Sequence, residues 1–211
     1  ALAEVTRELA RHDSALPAVS VGRLDHYADP AAFLAALMLD RGPANVLQHE
    51  HYVFRANVPP DSPRLPARIE ALAAGYSAVA AELATRNGRW HAVVQAHAET
   101  RDGRPFYRRP TDAELSLQVG LALSRGAAGV VYFLHSSGAE RLLGADGRAG
   151  QERVYEGLVT AAGEPTPTYT AARALNLRLR ALSPVLAPLF YHGAFASRSL
   201  PAGQPVRGGD G

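Results

Sequence analysis

Apolar and polar positions alternate in four short runs along this chain, and stretches of helical spacing separate them. The clearest run is Trp90-His-Ala-Val-Val-Gln-Ala-His-Ala-Glu99. Strand alternation there points Val94, Ala96 and Ala98 one way and Gln95, His97 and Glu99 the other. The others are Leu16–Leu24, Asn45–Phe54 and Ala128–His135. Helical spacing appears in Ala1–Arg11, after Asp29-Pro30, and in Ala67–Thr85 up to Asn87-Gly88. A further helix follows Thr111-Asp-Ala-Glu114, which has the form of a capping box, and ends at Gly126. The last helix starts at Thr166-Pro167 and is expected to stop near Leu182, before Ser183-Pro184. Val58–Pro66, Thr100–Arg109 and Ser136–Gly150 read as loops, and Gln151–Thr160 as helix or irregular chain.

Strands alternating with helices predict parallel β/α units with polar groups gathered at the strands' C-terminal ends. Four such units make either an open sheet or half of an eight-stranded barrel. Residues 1–190 are assigned to this domain, and 191–211, rich in Gly, Pro and Arg, to an extended or loose tail. No GxGxxG follows the first strand and no GxxxxGK[ST] occurs, so nucleotide binding loses its best signals.

Composition narrows the chemistry. All 22 basic residues are Arg, and the net charge of +2 with no basic stripe gives no reason to expect nucleic acid. The absence of Cys removes disulfides, thiolate metal sites and a Cys nucleophile. No run of about 18 apolar residues suggests a membrane span, and no signal peptide is visible. No cofactor is expected.

Residues from Trp90 to about Leu189 resemble the last third of a glycoside-hydrolase-type (β/α)8 barrel of the β-galactosidase-like clan. The resemblance is carried by Val94-Gln95-Ala96 and by Arg109-Pro110-Thr111 with Glu114-Leu115. It continues through Gln118, Gly126-Ala127, Gly129-Val130 and Tyr132-Phe133-Leu134, and then Gly163-Glu-Pro-Thr-Pro with Tyr169, Asn176 and Pro184. It implies that the four strands are strands five to eight of a TIM barrel, with a nucleophile at the end of the seventh. The general acid would then lie on a fourth strand before Ala1.

On that resemblance Glu99 is the first catalytic candidate and Glu50 the second, and a solvated or ion-paired carboxylate is the plainer reading of each. Gln95, His97, His49, His51, Tyr132 and His135 are the expected sugar-binding residues. For Tyr132 core packing is the simpler role, and Trp90 is expected to pack under a helix. Gln118 is expected to bond backbone or a neighbouring helix. Arg101, Arg108 and Arg109 rim the loop after the strand, where they would face a carboxylated sugar or water. The leading expectation is a module that acts on or binds carbohydrate. Two alternatives stay open: a metal-dependent hydrolase using His49, His51, His97 and His135, and a glycan-binding or supporting fragment without turnover. Half a barrel exposes sheet edges and an apolar face, so either the remainder of a longer chain or self-association is expected.

Overall fold

A computed structural model describes residues 18–21, 26–29, 31–33, 46–85, 88–144 and 149–189. The expected helix Ala1–Arg11 and the tail 191–211 lie outside the described residues, as does most of the helix after Asp29. The start of that helix is described, and Asp29 caps it by accepting from the Ala32 amide at 2.8 Å.

The four expected strands form one parallel sheet. Strands β2 (Val46–Glu50), β3 (Arg89–Gln95) and β6 (Gly129–Phe133) make its three-stranded body, and β1 (Ala18–Val21) adds parallel to the outer side of β2. Helices α1 (Leu65–Ala84), α2 (Asp112–Leu123) and α3 (Pro167–Leu186) complete a mixed α/β fold. The core lies between sheet and helices. Leu47, Trp90, Ala92, Val94 and Ala96 meet Leu72, Tyr76, Val79 and Leu83 of α1, and Leu115, Val119 and Ala122 of α2. The alternate residues of β2 and β3 supply this face, as a half-buried strand must.

The α2 capping box closes in both directions. The Thr111 hydroxyl accepts from the Glu114 amide at 3.2 Å, and the Glu114 carboxylate accepts from the Thr111 amide at 2.8 Å. Such a cap contributes about 1 kcal/mol. Helix α3 runs through Ser183-Pro184 instead of stopping there. Pro184 sits in the last turn, where its missing N–H forfeits a single bond rather than breaking a helix interior.

A second, antiparallel sheet that the half-barrel expectation did not include stands beside the parallel one. The described residues form no closed barrel. The run expected as one strand to Glu99 leaves the parallel sheet after Gln95 and resumes as β4 (Ala98–Arg101). The expected loops become strands β5 (Arg104–Tyr107) and β7 (Gly138–Leu143), and the stretch from Gln151 expected as helix or irregular chain becomes most of β8 (Ala149–Glu156), in antiparallel order β5-β4-β8-β7. Asp102 and Gly103 turn β4 into β5 with φ of 46° and 72°. Asp-Gly with both residues at positive φ is the favoured two-residue hairpin turn, so the polarity of Thr100–Arg109 marked a hairpin and not a loop.

This sheet grows directly from the ends of two adjacent parallel strands. Two residues separate β3 from β4, and four separate β6 from β7. The antiparallel sheet is thereby anchored at the C-terminal ends of β3 and β6.

Candidate functional site

The junction of the two sheets is fixed by an amide clamp. The Gln95 side-chain carbonyl accepts from the Phe54 amide at 3.0 Å, and its NH2 donates to the carbonyls of Phe54 and Arg108. Gln118 reaches from α2 to the Gln95 backbone, accepting from its N–H and donating to its C=O. Both amides are fully buried. Gln118 does what its position predicts. Gln95, expected to touch sugar, instead spends all three of these bonds on the scaffold.

Beyond the clamp the chain delivers His97 and Glu99 to one place. His97 is fully buried, and its Nδ1 donates to the Phe133 carbonyl at 2.9 Å. A carbonyl only accepts, so the proton sits on Nδ1. The other nitrogen, Nε2, lies 3.9 Å from Oε2 of Glu99. Four aromatic rings surround the imidazole: Phe133 at 5.1 Å, Tyr52 at 5.2 Å, Tyr107 at 5.6 Å and Tyr155 at 6.0 Å.

Glu99 is 4% exposed. Burial by itself would raise its pKa, but the nearby His97 ring, the hydrogen bond from Arg101 and the Arg101 charge outweigh it and hold the carboxyl below its ordinary value. Arg101 Nε donates to Oε1, and Arg153 Nε stands 3.8 Å from the same oxygen. The group is an ionised carboxylate kept out of water. Glu50, half-buried at the end of β2, approaches through Tyr52. Burial, then the Glu50 charge, pushes the Tyr52 phenol far up, which keeps it protonated.

Beside this cluster a concavity of about 260 Å³ is lined by Phe133, Leu134, Ser136, Gly138, Glu140 and Tyr155, among others. Phe133 and Tyr155 belong to both.

The other expected site residues lie elsewhere. His49 and His51 are buried against α1, where a Cβ on Gly75 would come within 3.0 Å of His51 Nδ1 and 3.8 Å of His49 Nε2. The His49 ring also packs near Tyr76 and Trp90, and Trp90 lies under the helix as expected. These two histidines share a face of the chain, as alternation requires, but it is the helix-covered face. Tyr132 packs against the core, and its hydroxyl donates to Asn176 of α3 at 3.0 Å. His135 is exposed beyond the end of β6, with Nδ1 3.0 Å from the Ser136 hydroxyl. Among the described residues no group of three or more His, Asp or Glu is arranged to hold a metal ion. The four-histidine alternative therefore finds no ligand set there.

Arg108 is a structural clamp. It pairs with Glu114 in a two-point fork, donates to the Val58 carbonyl at 2.7 Å and lies over the Phe54 ring. Arg109 pairs with Glu156 at 2.8 Å.

The aromatic walls and Arg153 are absent from the sequence expectation. Tyr52 was legible as the neighbour on Glu50's face. Tyr155 and Arg153 were legible only if Gln151–Glu156 was read as an alternating strand. No protein-family model matches the chain, and no curated protein matches it.

Proposed function

We propose that this chain is a glycoside-hydrolase-like module that binds carbohydrate at the C-terminal ends of its parallel strands, with Glu99 as its anionic group. The observation that carries the reading is Glu99 itself. It is a buried, ionised carboxylate just past the end of a central parallel strand, beside the ring-enclosed His97 and opposite Tyr107 and Tyr155 in the antiparallel register. Rings with polar tips suit a sugar, whose faces are apolar and whose rim is hydroxylated. An ionised carboxylate in a dry site stabilises developing oxocarbenium-like charge or acts as nucleophile.

Retaining hydrolysis also needs a second carboxyl about 5 Å away. The ionic partners of Glu99 among the described residues are His97, Arg101 and Arg153. In this reading the proton donor comes from outside this set, on a strand that continues the sheet into a barrel. What supports this is the two outer strands of the sheet: among the described residues β1, where a preceding strand would add, pairs with β2 alone, and β6 pairs with β3 alone. The sheet is then the second half of a (β/α)8 wall, completed by the rest of a longer chain or by self-association.

A glycan-binding role without turnover draws on one observation: Arg101 occupies Oε1 of Glu99, which leaves that oxygen less free to attack. Aryl glycoside turnover and oligosaccharide binding, measured on the chain and on Glu99→Gln, decide between them. Turnover that Glu99→Gln abolishes supports catalysis. Binding without turnover supports the second role. Glycosidase activity that survives in Glu99→Gln overturns the role given to Glu99.

A further inference from the structure

Arg101 has an arginine on either side. In the antiparallel register it lies directly opposite Arg104 on β5 and Arg153 on β8, and Arg153 is opposite Glu140 on β7. Directly opposed residues share a sheet face, and like charges so placed destabilise the pairing. Two carboxylates offset part of that repulsion. Glu99 takes Arg101 and stands near Arg153, and Glu140 is 3.9 Å from Arg153 Nη1. Arg104 is exposed and has no ion pair among the described residues.

The row has an aromatic floor and an open space beside it. The Arg101 guanidinium lies 3.3 Å from the centre of the Phe106 ring, and that of Arg55 lies 4.2 Å from the same centre. A concavity of about 640 Å³ opens here, and Arg101, Arg104, Phe106 and Gln151 are among its lining residues. Asp102, also at its rim, spends Oδ1 on the Glu152 amide at 2.9 Å.

We propose that this arginine row is a subsite for the carboxylate of an acidic sugar. The inference rests on the carbohydrate reading of the same site and adds the substrate class. A guanidinium fork matches a planar carboxylate in shape and charge. An arriving carboxylate relieves the repulsion between Arg101 and Arg104. The same sheet face then leads the chain of sugars along β4 towards Glu99.

The test is calorimetric titration of the full chain with a short oligogalacturonide and with its methyl ester, in which the same sugar carries no charge. Both are run at about 0.15 M salt, where diffuse attraction is largely screened, and with inorganic sulfate as a third probe. The acid form is expected to bind at least tenfold more tightly than the ester, and Arg104→Glu is expected to erase that difference. Arg104 holds no other side chain in place among the described residues, so circular dichroism of this variant should match the parent. Equal affinity for acid and ester, or a preference that survives Arg104→Glu, overturns the subsite and leaves the carbohydrate reading standing. Sulfate binding with neither oligomer bound overturns both.

Discussion

Arg101 and Glu99 sit two residues apart on β4, and the guanidinium of the first holds the carboxylate of the second in a place that water barely reaches. Period-two alternation puts both on one sheet face, so the pair is built into the strand. Removing the cation leaves a buried charge facing only His97 and the more distant Arg153. Arg101→Met is expected to destabilise the protein by about 2–4 kcal/mol. Adding Glu99→Gln should recover part of the loss. Urea unfolding of the two single variants and the double variant measures the coupling, and additive losses would mean the pair is not energetically linked.

Glu99 and Glu114 are both held below the ordinary carboxyl value of 4.5, in each case against the upward pull of burial, by arginine partners and hydrogen bonds. A group whose folded pKa is depressed contributes stability that is complete above its unfolded pKa and disappears as pH falls through the folded one. The urea midpoint is therefore expected to be insensitive to these two groups above about pH 5 and to fall on acidification below it. Glu114→Gln should make that acid slope shallower. An unchanged slope would show that the Arg108 fork does not act on Glu114 as described.

The amide clamp predicts a cost out of proportion to its size. Gln118→Leu keeps the volume and strands both the N–H and the C=O of Gln95 in the interior. A loss of about 2–3 kcal/mol is expected. A thermal melt that moves by only a degree or two would mean that other groups satisfy the Gln95 backbone.

Gly157 joins β8 to the ends of the parallel strands. A Cβ there would stand 2.7 Å from the carbonyl oxygens of both Leu134 and His135. Backbone cannot step aside as a side chain does, so Gly157→Ala is expected to cost at least about 2 kcal/mol and to loosen the 260 Å³ concavity. Gly120→Ala meets nothing within 4 Å and serves as the control, expected to be neutral or stabilising.

The parallel strands were legible because each carries its signal locally. Leu47 and His49 alternate with half-exposed neighbours, Trp90 and Ala92 flank the half-exposed His91, and Thr111 with Glu114 announces α2. The antiparallel sheet was not, because Arg, Glu and Tyr at strand positions look like loop residues until cross-strand partners neutralise them. Arg153 is the example: its strand identity depends on Arg101, Glu99 and Glu140, all distant in sequence. Alternation did predict that His97 and Glu99 meet. It could not say which face of β2 the helix would cover, and that choice removed His49 and His51 from the site. Nor could it show that Gln95, on the right face, would be consumed by the backbone of Phe54.

The central claim is that the concavity walled by Phe133 and Tyr155, beside His97 and Glu99, receives a sugar. Saturation-transfer NMR with a set of oligosaccharides measures this on the full chain, repeated with Tyr155→Ala after circular dichroism has shown both to be folded. Transfer to sugar ring protons in the parent, and its loss in Tyr155→Ala, is the predicted result. A folded parent that transfers to no saccharide, or a Tyr155→Ala variant that binds as well as the parent, would contradict it.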